Sequence, residues 1–223
     1  MKTNTKALAV SFCIFYLIWI VRATIFYNAV DLSIALETGR LIFSNIIKFL
    51  LWVIPAGLYI FYHERQNLLI NLKITSPINW RELGIGLAAS VLYFVLVFTV
   101  EKLYSGRTLM PLLHASASAW LVTLAQVFFS PISEEILFRG FVLPRLSERL
   151  PFWEANAIQA ILFTAMHWPN WLWVNGFQAW IIVTSVSIFI LALFLGWMLR
   201  RTNSIWPPIV VHIINNFLSS FAG

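Results

Sequence analysis

The sequence predicts an all-α, polytopic transmembrane bundle of about seven (six to eight) helices around a cytoplasm-facing intramembrane cavity, on three observations. The chain of 223 residues is 60% hydrophobic and 11% charged, whereas soluble domains average about 45–50% and 25%. Its apolar residues gather in seven runs near the roughly 20 residues that cross a bilayer. Ionisable residues nevertheless sit inside the later runs, where lipid alone would exclude them.

The runs lie near 7–27, 41–62, 83–101, 118–143, 154–168, 177–199 and 205–221. The first begins after Lys2 and Lys6, and Arg22 stands where a small-residue cleavage pattern would complete a signal peptide, so it reads as an uncleaved helix. The second holds Lys48 close to its start, a position from which a long side chain can snorkel to the interface. The polar stretch 63–82 reads as a loop with an interfacial helix around "NLLINL". The fifth run is short and stops at "HWPN", because Pro169 disfavours helix in the residue before it. Eleven tryptophans and nineteen phenylalanines suit the headgroup level.

Basic residues set the orientation. Lys2, Lys6, Arg65, Lys73, Arg81, Arg145, Arg149, Arg200 and Arg201 fall on one side, against Arg22, Arg40, Lys102 and Arg107 on the other. The positive-inside rule then puts the N-terminus in the cytoplasm, and the expected location is the cell membrane, plasma or inner. The net charge of +6 is scattered through loops, which argues against a nucleic-acid surface. A single cysteine, Cys13, excludes a disulfide framework and a Cys-based metal motif. No repeat or long linker divides the chain, so 1–223 reads as one membrane domain.

The polar residues of the later runs can be sorted by helical geometry. Glu135 and Arg139 are four apart and share a face, whereas Glu134 points about 100° away and has no partner on its own helix. Phe163 and His167 share a face, and so do His212 and Asn216. Counted from the inner helix ends, Glu134 lies roughly 14 Å deep, His167 roughly 16–21 Å and His212 roughly 9 Å, depths compatible with one shared cavity. An ion pair that only neutralises charge accounts for Glu135 and Arg139, but structural hydrogen bonding alone does not require the whole set.

"EEILFR", "FTAMH" and "HIINN" stand in the order of the motifs EExxxR, FxxxH and HxxxN, and "RTNSIWPPIVVHIINNF" leads into the last histidine. In these residues the chain resembles the CPBP family of intramembrane proteases, also called Abi or CAAX proteases, which includes type II CAAX prenyl endopeptidases. The resemblance covers residues 118–221 as a catalytic core. It implies an intramembrane endopeptidase in which Glu134 is the catalytic glutamate, His167 helps to activate the attacking water, and His212 with Asn216 stabilises the oxyanion. Glu135, Arg139 and Phe163 are then supporting residues. Glu134, His167 and His212 are also the ligand types of a catalytic zinc, which would lower the pKa of bound water. The HExxH spacing is absent, and the expectation is a metal-free mechanism with no cofactor, a divalent metal being the alternative. The implied partners are the lipid bilayer and a peptide or protein substrate, C-terminally lipidated substrates among them, with no nucleic acid. The alternative function is a non-hydrolytic relative acting in regulation or bacteriocin immunity. A proton-coupled transporter ranks third, because it needs a polar path to both sides and "NWLWVNGF" carries no charge.

Overall fold

A computed structural model describes residues 5–105 and 117–221; Lys2 and Arg107 of the orientation count lie outside them. The described residues form helices and turns, with no strand among them. The first apolar run forms α1 (Thr5–Val21), which continues into a π-helical turn (Arg22–Phe26) and α2 (Tyr27–Ala29). The second forms α3 (Glu37–Leu58), extended by a π-helical turn (Tyr59–Glu64). The expected short helix in the loop is α4 (Leu68–Asn71), capped by the Asn67 side chain, which accepts from the Leu69 and Ile70 amides. Then come α5 (Trp80–Ser105) and α6 (Ala117–Glu135), which passes through a π-helical stretch (Ile136–Val142) into α7 (Leu143–Ser147). The chain finishes with α8 (Phe152–Ala165), α9 (Trp168–Asn175), α10 (Ala179–Thr202) and α11 (Trp206–Ser219).

Among the described residues, four helical stretches are long and apolar enough to cross a bilayer, Ala9–Ser33, Thr38–Glu64, Trp80–Val100 and Ala179–Thr202. The other expected crossings differ for physical reasons. The run that includes α6 carries its charges at mid-length, and α8 and α11 have 14 residues each, about 21 Å against a hydrocarbon core of about 30 Å. As Pro169 suggested, the fifth helix ends at Ala165 and a new one starts at Trp168. Gly176, with φ of +63°, turns the chain from α9 toward α10 in a conformation that favours glycine.

The outer faces carry large apolar side chains, among them Leu17, Leu92, Leu96 and Val186, as lipid requires of a membrane helix. The interior holds small and polar groups instead. Helix α3 packs along α6, α8 along α10, and α11 against both α5 and α6. Between α8 and α10, Asn156 donates to the Leu193 carbonyl at 2.9 Å, and Gln159 donates to Asn156 at 3.0 Å and to the Ala192 carbonyl at 3.1 Å. Gly196 makes this approach possible, because a Cβ there would fall 1.9 Å from Asn156 Oδ1.

The basic loops gather at one end of the bundle. Arg145 reaches Glu64 at 2.6 Å and Asn71 at 2.7 Å, Arg201 pairs with Glu82 at 2.8 Å, and Lys73 donates to Asn203 at 2.6 Å. Asn203 adopts the left-handed conformation that closes α10. At the opposite end, Arg22 pairs with Asp31 at 2.7 Å and Asn170 donates to the Ala23 carbonyl at 3.2 Å.

The Gly196 contact carries a prediction. Gly196→Ala should destabilise the protein by about 1–3 kcal/mol, a typical overpacking cost, read as a lower thermal midpoint in detergent by tryptophan fluorescence. Gly84→Ala, where a Cβ meets nothing within 4 Å, should leave that midpoint unchanged or slightly higher.

Candidate active site

The polar groups meet where regular helix is interrupted. Glu134 and Glu135 are the last two residues of α6, immediately before the π-helical stretch, a geometry often found at functional sites. His167 sits at the junction of α8 and α9, where the Pro169 break ends one helix and begins the next. His212 lies in the second turn of α11, which starts beside two prolines tolerated in a first turn.

Glu135 is fully buried and lies behind the site. Its Oε1 accepts from Arg139 Nη1 at 2.9 Å and from His212 Nδ1 at 2.7 Å. Arg139 also donates to the Ala192 carbonyl at 3.2 Å and packs 4.5 Å above the Phe163 ring. One guanidinium thereby ties α10 and α8 to the segment that follows the glutamates. A carboxylate only accepts, so His212 Nδ1 is the donor and its Nε2 turns to Glu134, 3.6 Å from Oε2. His167 is fixed in the same way: its Nδ1 faces the Phe163 carbonyl at 3.0 Å, which leaves Nε2 as its free nitrogen. The Phe163 ring stands 5.3 Å from His167 and 5.9 Å from His212, edge-on to both.

Two expectations need correction. Lys48 does not snorkel to the interface; its ammonium points inward, bonds Glu134, donates to Ser130 at 2.6 Å and lies 4.5 Å above the Trp52 ring. Glu134 therefore has counter-charge from α3 and a hydroxyl one turn back on its own helix, Ser130 at 2.7 Å. The reason is desolvation. Glu134 is 5% exposed, and an ammonium on the facing helix is stabilised more by that carboxylate than by a climb to the headgroups.

Glu134, His167, His212 and Asn216 line one cavity of about 740 Å³, with Phe163 in its wall, while Glu135 and Arg139 stay behind that wall. Lys48, Ser130 and Asn215 line it too. Sequence reasoning did not assign these three to the site. The spacing of four between Ser130 and Glu134 was a usable signal, whereas Lys48 could be placed only by the packing of α3 on α6.

The cavity lies for the most part between the glutamates and the end of the bundle opposite the basic loops. On α5, α10 and α11 the lining residues run from mid-helix to the end away from the basic loops, whereas on α3 they reach Trp52 and on α6 they extend to Glu134, next to its last residue. Toward the basic end it is closed. The whole stretch Ile136–Val142 is buried there, backed by a cluster of Leu143, Ala155, Leu199, Ile205 and Ile209.

Among the described residues no group of three or more His, Cys, Asp or Glu is placed to hold an ion, and the cation beside Glu134 is the Lys48 ammonium.

The helices and the polar cavity define a helical membrane protein with a polar site inside its bundle. Residues 115–218 match the family model described as type II CAAX prenyl endopeptidase Rce1-like. Comparisons with curated proteins and with solved structures returned no match.

Glu135 should depend on its guanidinium. Arg139→Met leaves a buried carboxylate without its strongest partner and should cost about 3–5 kcal/mol, whereas Glu135→Gln/Arg139→Met should regain most of it. Denaturation in detergent, followed by circular dichroism, measures both, and a single variant as stable as the parent would show that the pair does not hold the site.

Proposed function

We propose that the protein is an intramembrane endopeptidase of the cell membrane, with its N-terminus cytoplasmic, that hydrolyses a peptide bond with water activated by Glu134 and His167. The observation that carries this reading is the convergence of Glu134, His167, His212 and Asn216 on one cavity from three separate helical segments. The family match at residues 115–218 supports it. This reading counts the α6–α7 run, the α8–α9 pair and α11 as crossings beside the four long apolar stretches, seven in all.

The chemistry follows from the groups present. Glu134 removes a proton from a water in the cavity as the water oxygen bonds to the scissile carbonyl carbon, and the free Nε2 of His167 orients that water. The carbonyl oxygen becomes an oxyanion, accepting from the Asn216 amide and from His212 Nε2 when that ring carries a second proton. Glu134 then returns the proton to the departing amine as the C–N bond breaks, releasing a carboxylic acid and an amine. Lys48 and Ser130 hold the glutamate in place through Oε1, so that Oε2 is the oxygen turned toward His212. No metal enters this route. The substrate is a peptide segment admitted to the cavity.

A peptide-library cleavage assay on the purified protein in detergent, with and without chelator, tests the reading. Glu134→Ala and His167→Ala should abolish cleavage, and Asn216→Ala should lower the rate about 10²–10³-fold, the usual loss for one oxyanion donor. Activity should survive the chelator. Equal rates in all variants would sink the assignment, loss to chelator with rescue by zinc would overturn the metal-free route, and absence of any cleavage would favour the regulatory alternative.

A further inference from the structure

Three helices carry their charges at one level of the bundle. In α10 no charged residue precedes Arg200 and Arg201, α5 holds Arg81 and Glu82 in its first turn and no further charge until Glu101, and α8 opens on Phe152, Trp153 and Glu154. The end of α10 and the starts of α5 and α8 meet around an open cleft of about 450 Å³, lined by Glu82, Trp153, Trp197, Arg200 and Arg201. Charges that begin where an apolar helix stops, beside tryptophans, mark the headgroup level of a bilayer. Trp153 at the start of α8 is 58% exposed, and Trp80 at the start of α5 is 74% exposed.

The two arginines of the cleft differ. Arg201 engages both oxygens of Glu82, Nη2 to Oε1 at 2.8 Å and Nε to Oε2 at 3.4 Å, so the only carboxylate in the lining is already paired. Arg200 has no carboxylate and no hydrogen-bond acceptor among the described residues. Its guanidinium lies 4.4 Å above the Phe152 ring, and Phe152 meets Trp153 at 5.1 Å, edge to face. The cation is thereby held beside an exposed indole with its N–H groups unfilled. With Glu82 neutralised by Arg201, the cleft keeps one uncompensated positive charge.

A guanidinium with its donors open takes a phosphate through two parallel hydrogen bonds. Position selects the source of that phosphate. At headgroup level the abundant phosphates are those of membrane lipids, and the surplus positive charge favours a lipid of net negative charge over one whose phosphate is offset by its own ammonium. We propose that this cleft binds the phosphate headgroup of an anionic phospholipid, held by Arg200 and flanked by Trp153 and Trp197. Its lining shares no residue with the cavity that holds Glu134, and the proposal does not depend on the protease reading.

Thermal unfolding of the purified full chain in detergent tests this, with phosphatidylglycerol, phosphatidylcholine or inorganic phosphate added in turn. A ligand that binds only the folded protein raises its midpoint. Phosphatidylglycerol should raise the midpoint of the parent more than phosphatidylcholine at the same mole fraction, and inorganic phosphate at the same concentration should not reproduce the gain. The difference between the two lipids, taken within each variant, cancels any change in that variant's own stability. Arg200→Gln and Arg200→Glu should lose most of that difference. Arg65→Gln, which removes an exposed arginine outside the cleft at the same end of the bundle, should keep it. Equal gains from both lipids in the parent, a difference retained by either Arg200 variant, or one lost as fully in Arg65→Gln would each overturn the proposal. So would a gain reproduced by inorganic phosphate.

Discussion

Two adjacent carboxylates buried in a membrane bundle impose a requirement on everything around them: each must find positive charge or donors inside, because burial strips away most of its hydration. Glu135 obtains Arg139 from the following π-helical stretch and His212 from α11. Glu134 obtains Lys48 from α3 and Ser130 from its own helix. Removing two charges from water costs several kcal/mol per ion unless geometry and hydrogen bonds compensate. The approach of α3 and α11 to α6 is therefore an electrostatic necessity as well as a packing preference.

The arrangement also divides labour between neighbouring residues. Glu135 faces away from the cavity and is committed to holding Arg139 and the orientation of His212. Glu134 faces it. The π-helical stretch allows this division, since it follows the pair directly and carries Arg139 into the protein interior, against the carbonyl of Ala192 and the ring of Phe163. Short helices serve the same end. Because α8 stops at Ala165, His167 sits at a helix junction, where a side chain can face a cavity while its Nδ1 remains anchored to the carbonyl of Phe163.

Much of this was legible in the residues. The membrane class followed from composition, the break near His167 from Pro169, and the Glu135–Arg139 pair from a spacing of four on a helix. The three motifs were legible as a family pattern, and residues 115–218 match that family. Other features were not. Lys48 read as a residue that reaches for the interface because, on an isolated helix, that is the least costly route for an ammonium. Only the facing carboxylate, 86 positions along the chain, reverses the preference. Asn215 and Asn216 stand three and four residues after His212, spacings that both share its face, and both line the cavity wall.

The sequence by itself determined which segments are apolar enough for lipid, which carry charge into it, and on which side the basic loops collect. These are properties of local composition and helical period. The tertiary structure decided which charges meet and which residues enclose the resulting cavity. Those depend on the contacts of α3, α8 and α11 with α6 and α10, interactions between residues far apart in the chain, for which a linear pattern carries no distance. Depth counts along single helices were compatible with a shared cavity but were silent on which end of it is plugged, because burial of Phe138 and Val142 is a property of their neighbours.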